Sequence, residues 1–118
     1  RALQLDPEDP SVLTAAASVS LRRGDDSGAI SYADAALHTD PALVEAWIIK
    51  GTAHGNRGEY ESEKEASEQA LRLSPRNELA ITNRDYAEEM MDKTRQAPSA
   101  VWLLFFSIGV SLLIIRRK

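Results

Sequence analysis

Apolar positions recur along the chain at helical spacing, in segments divided by Pro, Gly and Asp. Over residues 10–23, Val12, Leu13, Ala16, Ala17, Val19 and Leu21 form one apolar side, the i, i+3, i+4 pattern of an amphipathic helix. Asp9 before Pro10 supplies a capping side chain and a first-turn proline, and Gly24 ends the segment. A second helix is expected over residues 28–39, capped by Asp26 or Ser27, with Ile30, Ala33, Ala36 and Leu37 inward. Third and fourth helices follow over 42–57 and 60–73. A fifth, over 78–94 with Asn77 as cap, carries Leu79, Ile81, Tyr86, Ala87, Met90 and Met91. Its other side is charged: Arg84, Asp85, Glu88, Glu89, Asp92 and Lys93. No strand pattern is evident.

The punctuation has a period. Pro7, Pro41 and Pro75 are spaced by 34 residues, and so are Gly24 and Gly58. The segments before the prolines align: Ala2-Leu3-Gln4-Leu5-Asp6, Ala36-Leu37-His38-Thr39-Asp40 and Ala70-Leu71-Arg72-Leu73-Ser74. Residues 46–75 add Trp47, then Gly51 four residues on, Gly58, Tyr60, the Ala70-Leu71 pair and a closing Pro75. This pattern resembles the tetratricopeptide repeat, a helix–turn–helix unit of 34 residues. The first full unit has Leu13 for Trp47, Ala17 for Gly51 and Asp26 for Tyr60. Lys50, His54, Glu63 and Ser67 stand where the family usually has Leu, an aromatic, Ala and an aromatic.

The resemblance implies an all-α solenoid. Residues 1–9 end a preceding unit, 10–43 and 44–77 are full units, and 78–95 form a helix that caps the last one. Two units are fewer than the three or so usually needed for stability, and the chain begins with Arg1. The expectation is therefore that it is the C-terminal part of a longer protein.

Composition changes the picture at the end of the chain. After a linker at 96–99, the stretch AVWLLFFSIGVSLLII contains no charge, and Arg116, Arg117 and Lys118 close the sequence. Sixteen helical residues reach about 24 Å, or about 28 Å with residues 97–99, against a hydrocarbon core of ~30 Å. Residues 100–116 are read as a single transmembrane helix with a basic tail at 117–118, Trp102 near one interface and the terminal arginines snorkelling. The basic tail places the C-terminus in the cytoplasm and the repeats outside or in the periplasm. The alternative orientation is a tail anchor with cytosolic repeats, and a cleaved sorting signal is a third reading. Ser107 and Ser111, with Gly109 between them, form a small-residue face for a helix contact in the membrane.

The charge of −4 argues against nucleic acid, which is bound through clustered cations. The absence of Cys removes disulfides, thiolate metal sites and thiol nucleophiles. His38 and His54 lie in different units, and His54 is read as a packing residue. Glu59, Glu61, Glu63, Glu65 and Glu68 spread over several faces as solvated charge, with Lys64 and Glu68 as an i,i+4 pair. No catalytic set, metal site, cofactor or small-molecule substrate is indicated, and the chain is read as a non-enzyme.

Function then falls to surfaces. The resemblance implies a concave face lined by the first helix of each unit. Carried over by alignment, it presents Ser11, Thr14, Ser18 and Leu21, then Glu45, Ile48, Thr52 and Gly55, then Leu79, Thr82 and Tyr86. The set lacks the Lys and Asn residues with which chaperone-binding members of the family clamp a C-terminal carboxylate. An apolar or main-chain-reading contact is expected instead. The reading is a membrane-anchored scaffold, an accessory subunit or assembly factor whose partners are protein subunits of a membrane complex and lipid. The alternative is an interaction module or stalk of a longer protein carrying an enzymatic or sensor domain.

Overall fold

A computed structural model describes residues 6–96 of the 118-residue chain. Its helices are α1 (Pro10–Arg22), α2 (Asp26–Thr39), α3 (Val44–Asn56) and α4 (Tyr60–Leu73). A further helix, α5, covers residues 78–96. Among the described residues there is no strand. The chain divides into two compact units after Glu88. The expected span at 100–116 and the contact residues Ser107, Gly109 and Ser111 lie outside the described residues. No helix among the described residues is long and apolar enough to cross a membrane.

The first unit is built from repeated local devices. At the end of α1, Gly24 takes φ +78°. Its N–H donates to Leu21 O, and the N–H of Asp25 donates to Ser20 O at 2.9 Å. At the end of α3, Gly58 takes φ +75°. There Gly58 N–H donates to Gly55 O, and Glu59 N–H to His54 O at 2.9 Å. Both are the paired closing bonds of a glycine-terminated helix. The Asp-Pro turns repeat likewise: Asp6 Oδ1 accepts from Glu8 N–H, and Asp40 Oδ1 accepts from Ala42 N–H.

The caps depart from the sequence reading at two places. α2 is capped by Asp25, whose Oδ1 accepts from Gly28 N–H at 2.9 Å, rather than by Asp26 or Ser27. The glycine closure leaves Asp25 as both the last residue of one turn and the first of the next. α3 begins at Val44 rather than 42, because the Asp40 side chain holds Ala42 in the turn. Asp9 and Asn77 cap as expected, accepting from Ser11 N–H and Ala80 N–H.

Helix α1 packs on α2 and α3 on α4, and the hairpins stack through α2 with α3 and α1 with α3. One core cluster joins Ala17, Ala29 and Ala33 to Ile49 and Ala53, with Leu21 and Ile30 at its edge. A second joins Ala36, Leu37 and Ala46, flanked by Leu13, Leu43 and Trp47. Ten of the twelve buried hydrophobic residues among those described are Ala. Small side chains at the crossings let the helices approach closely. Polar ties add to the stack: Lys50 Nζ lies 2.6 Å from Asp34, Asn56 donates to Asp26, and Arg57 donates to Ser27. Residues 78–88 pack on the second hairpin, with Ala80 and Ala87 fully buried. Asn83 donates to Thr52 Oγ1, and Lys64 pairs with Glu88 at 3.4 Å rather than with Glu68. In the second unit, Lys93 pairs with Glu89 along the helix.

Candidate interaction groove

The first helix of each hairpin faces the same side of the first unit, and the sequence predicts why. In both hairpins the buried positions are taken by small residues, Ala17 in α1 and Gly51 in α3. A Cβ on Gly51 would stand 3.3 Å from Ser67 Oγ and 3.4 Å from Glu63 O. α4 therefore sits tight behind α3 at Gly51, and Val44, Glu45, Ile48, Ile49 and Thr52 of α3 line a different side.

There a cavity of about 560 Å³ opens, lined by Leu21 of α1, Val44, Glu45, Ile48, Ile49 and Thr52 of α3, and Asn77 and Leu79 beyond α4. Leu79 is 65% exposed, the most exposed of the large hydrophobics among the described residues. A smaller cavity of about 190 Å³ lies alongside, lined by Ser11, Thr14, Ala15, Leu43 and Glu45. Glu45 lines both, so the two adjoin at that residue.

Of the residues expected to form the partner surface, Leu21, Ile48 and Thr52 line the larger cavity. Thr14 lines the smaller one, its hydroxyl donating to Pro10 O at 2.7 Å. Ser18 is half-buried on α1 and lines neither. Thr82 is exposed on α5 and also lines neither. Tyr86 is turned to the second hairpin: its ring meets Tyr60 edge-on, with centroids 5.9 Å apart. Asn77, read from the sequence as a helix cap only, is the addition. It caps α5 and lines the groove at once.

A separate cleft of about 220 Å³ lies between α3 and α4, lined by Trp47, Lys50, His54, Ser62, Glu65, Ala66 and Gln69. Its walls are tied up internally. Trp47 Nε1 donates to Pro41 O, Lys50 lies 5.5 Å from the Trp47 ring centre, and His54 Nδ1 lies 3.1 Å from Glu59. Among the described residues no group of three His, Asp or Glu side chains gathers as metal ligands.

Glu63 differs from its acidic neighbours. It is only 3% exposed, and its Oε2 has no hydrogen-bond partner. Burial pushes its carboxyl up to about 7. The signal for this is in the sequence: Glu63 stands 34 residues after the buried Ala29.

No family model and no curated protein matches the sequence. Solved structures do match the fold. The first tetratricopeptide domain of Spaghetti (RPAP3), solved with an HSP90 peptide SRMEEVD, superposes with a TM-score of 0.71 at 24% identity, covering 74% of this chain and 69% of that one. The first such domain of human RPAP3, solved by NMR, gives 0.72 at 23% identity, covering 77% and 72%. The chain thus has a tetratricopeptide-like fold, an all-α helical repeat.

Proposed function

We propose that this chain is a protein-interaction scaffold that holds a partner segment in the groove of α1, α3 and α5. One observation carries the reading: Leu21, Ile48 and Leu79, on three separate helices, meet around a single open apolar cavity. Exposed apolar surface of this kind marks docking sites for other chains. The groove is not built for the acidic peptide of the structural neighbour, because its only charged lining residue is Glu45. The uncharged stretch 100–115 supports a membrane anchor for the scaffold. Anchoring would raise the effective concentration of the bound partner at that membrane. The scaffold would then serve as an accessory subunit or assembly factor of a membrane complex.

Co-purification tests this. The chain is extracted from its native membrane in mild detergent, as parent and as Ile48→Glu. A stoichiometric partner that travels with the parent and is lost from the variant is expected. The reading fails if the variant, folded by circular dichroism, retains the same partners.

A further inference from the structure

The groove holds one unpartnered charge. Glu45 is exposed at the first turn of α3, and among the described residues it has no ion-pair or hydrogen-bond partner. It is the only charged residue lining either cavity. The body around it is acidic. Within residues 6–88 of the first unit, 16 side chains are acidic and only eight are Lys or Arg. Such a field draws cations towards the groove and repels acidic segments.

Position sets the register. Glu45 lies one helical turn before Ile48 and Ile49 on the same helix, a rise of about 5 Å along the axis. Asn77 adds a directional group. Its Oδ1 accepts from Ala80 N–H, which leaves the amide N–H groups able to donate to a main-chain carbonyl. Thr52 is already engaged, its hydroxyl accepting from Asn83.

We infer that the groove selects a partner segment bearing a Lys or Arg next to an apolar residue, the cation on Glu45 and the apolar side chain in the Leu21, Ile48 and Leu79 cavity. This rests on the proposed function and adds its polarity. The recognition is opposite in sign to a carboxylate clamp: a cation is read where an anion would be. Charge complementarity picks this occupant over an acidic peptide, and it would act on choice of partner more than on tightness.

The test uses the full chain in detergent and three fluorescent peptides of one design. Each has an Ile-x-x-Leu core flanked by Arg, Gln or Glu. The Arg peptide is expected to bind about tenfold more tightly than the Glu peptide, since a partly screened attraction in one becomes a repulsion of similar size in the other. Glu45→Gln should cut that ratio to within about twofold, and Glu45→Lys should reverse it. Ile48→Glu should weaken all three peptides. Equal binding of the three peptides to the parent overturns this inference and leaves the groove reading standing. A preference that survives Glu45→Gln overturns it too. If no peptide binds and sedimentation shows self-association dispersed by Ile48→Glu, the occupant is a second copy and the inference is wrong. If no peptide binds and the chain does not self-associate, the groove reading falls with it.

Discussion

The carboxyl group of Glu63 lies against Gly55: a Cβ on that glycine would sit 2.5 Å from Glu63 Cδ. Thirty-four residues earlier, the same pair of positions holds Leu21 and Ala29. Large over small in the first hairpin has become small over large in the second. The two hairpins fill one volume in opposite ways.

That exchange predicts a coupling. Gly55→Leu alone should destabilise by about 1–3 kcal/mol, since the Glu63 carboxyl must swing out of its buried place to admit the new side chain. Combined with Glu63→Ala, the substitution recreates the first hairpin's arrangement. The double variant should then be more stable than the sum of the two single effects by at least about 1 kcal/mol. A denaturant double-mutant cycle measures this, and additivity would show that the two positions do not share a volume.

Glu63 also makes stability depend on pH. Its carboxyl is raised from an ordinary 4.5 to about 7 in the folded chain by burial. The folded state therefore binds the proton more tightly than the unfolded state. The contribution of this group to stability is fully present below about pH 4.5, falls as pH rises, and is lost above about 7. Glu63→Gln removes the titration. It should change the melting temperature little at pH 5 and raise it by a few degrees at pH 8, given about 1–3 kcal/mol for an unsatisfied buried group. A rise equal at both pH values would mean that Glu63 does not titrate in this range.

Gly51 separates two outcomes by size. Its imaginary Cβ meets Ser67 Oγ at 3.3 Å, and that hydroxyl is held by its bond to Glu63 O at 2.7 Å. Gly51→Ala should be nearly neutral, because a helix gains about 1 kcal/mol from the exchange and the contact costs a similar amount. Gly51→Val has no room for its branches and should cost about 1–3 kcal/mol. Thermal unfolding of the two variants checks the contrast.

Topology can be read with one residue. The chain has no Cys, and Glu61 is exposed at the start of α4. With the basic tail in the cytoplasm, Cys in place of Glu61 should react with an impermeant maleimide on intact cells. Labelling only after lysis would place the repeats in the cytosol.

Much of the hairpin architecture is legible in the sequence because it rests on residues with few alternatives. Gly24 and Gly58 take positive φ, and Pro7, Pro41 and Pro75 mark the turns. Asp25 is harder to see as a cap, since Asp26 and Ser27 beside it offer the same side-chain chemistry and the glycine closure decides. The pairing of Lys64 with Glu88 rather than Glu68 is hidden from the sequence because it depends on how α5 meets α4. For the groove, Leu21, Ile48 and Thr52 follow from repeat alignment alone. Tyr86 does not, because the phase of α5 turns its ring to Tyr60. Burial of Glu63 contradicts its composition but follows from its place in the repeat.

The proposed scaffold requires the face holding Ile48 to touch a partner in the native membrane. Photo-crosslinking tests it most directly, with a benzophenone amino acid at position 48 and, for comparison, at the exposed position 61. A discrete adduct from 48 and none from 61 is the predicted result. No adduct from 48, or the same adduct from both, would mean that no partner docks on this face.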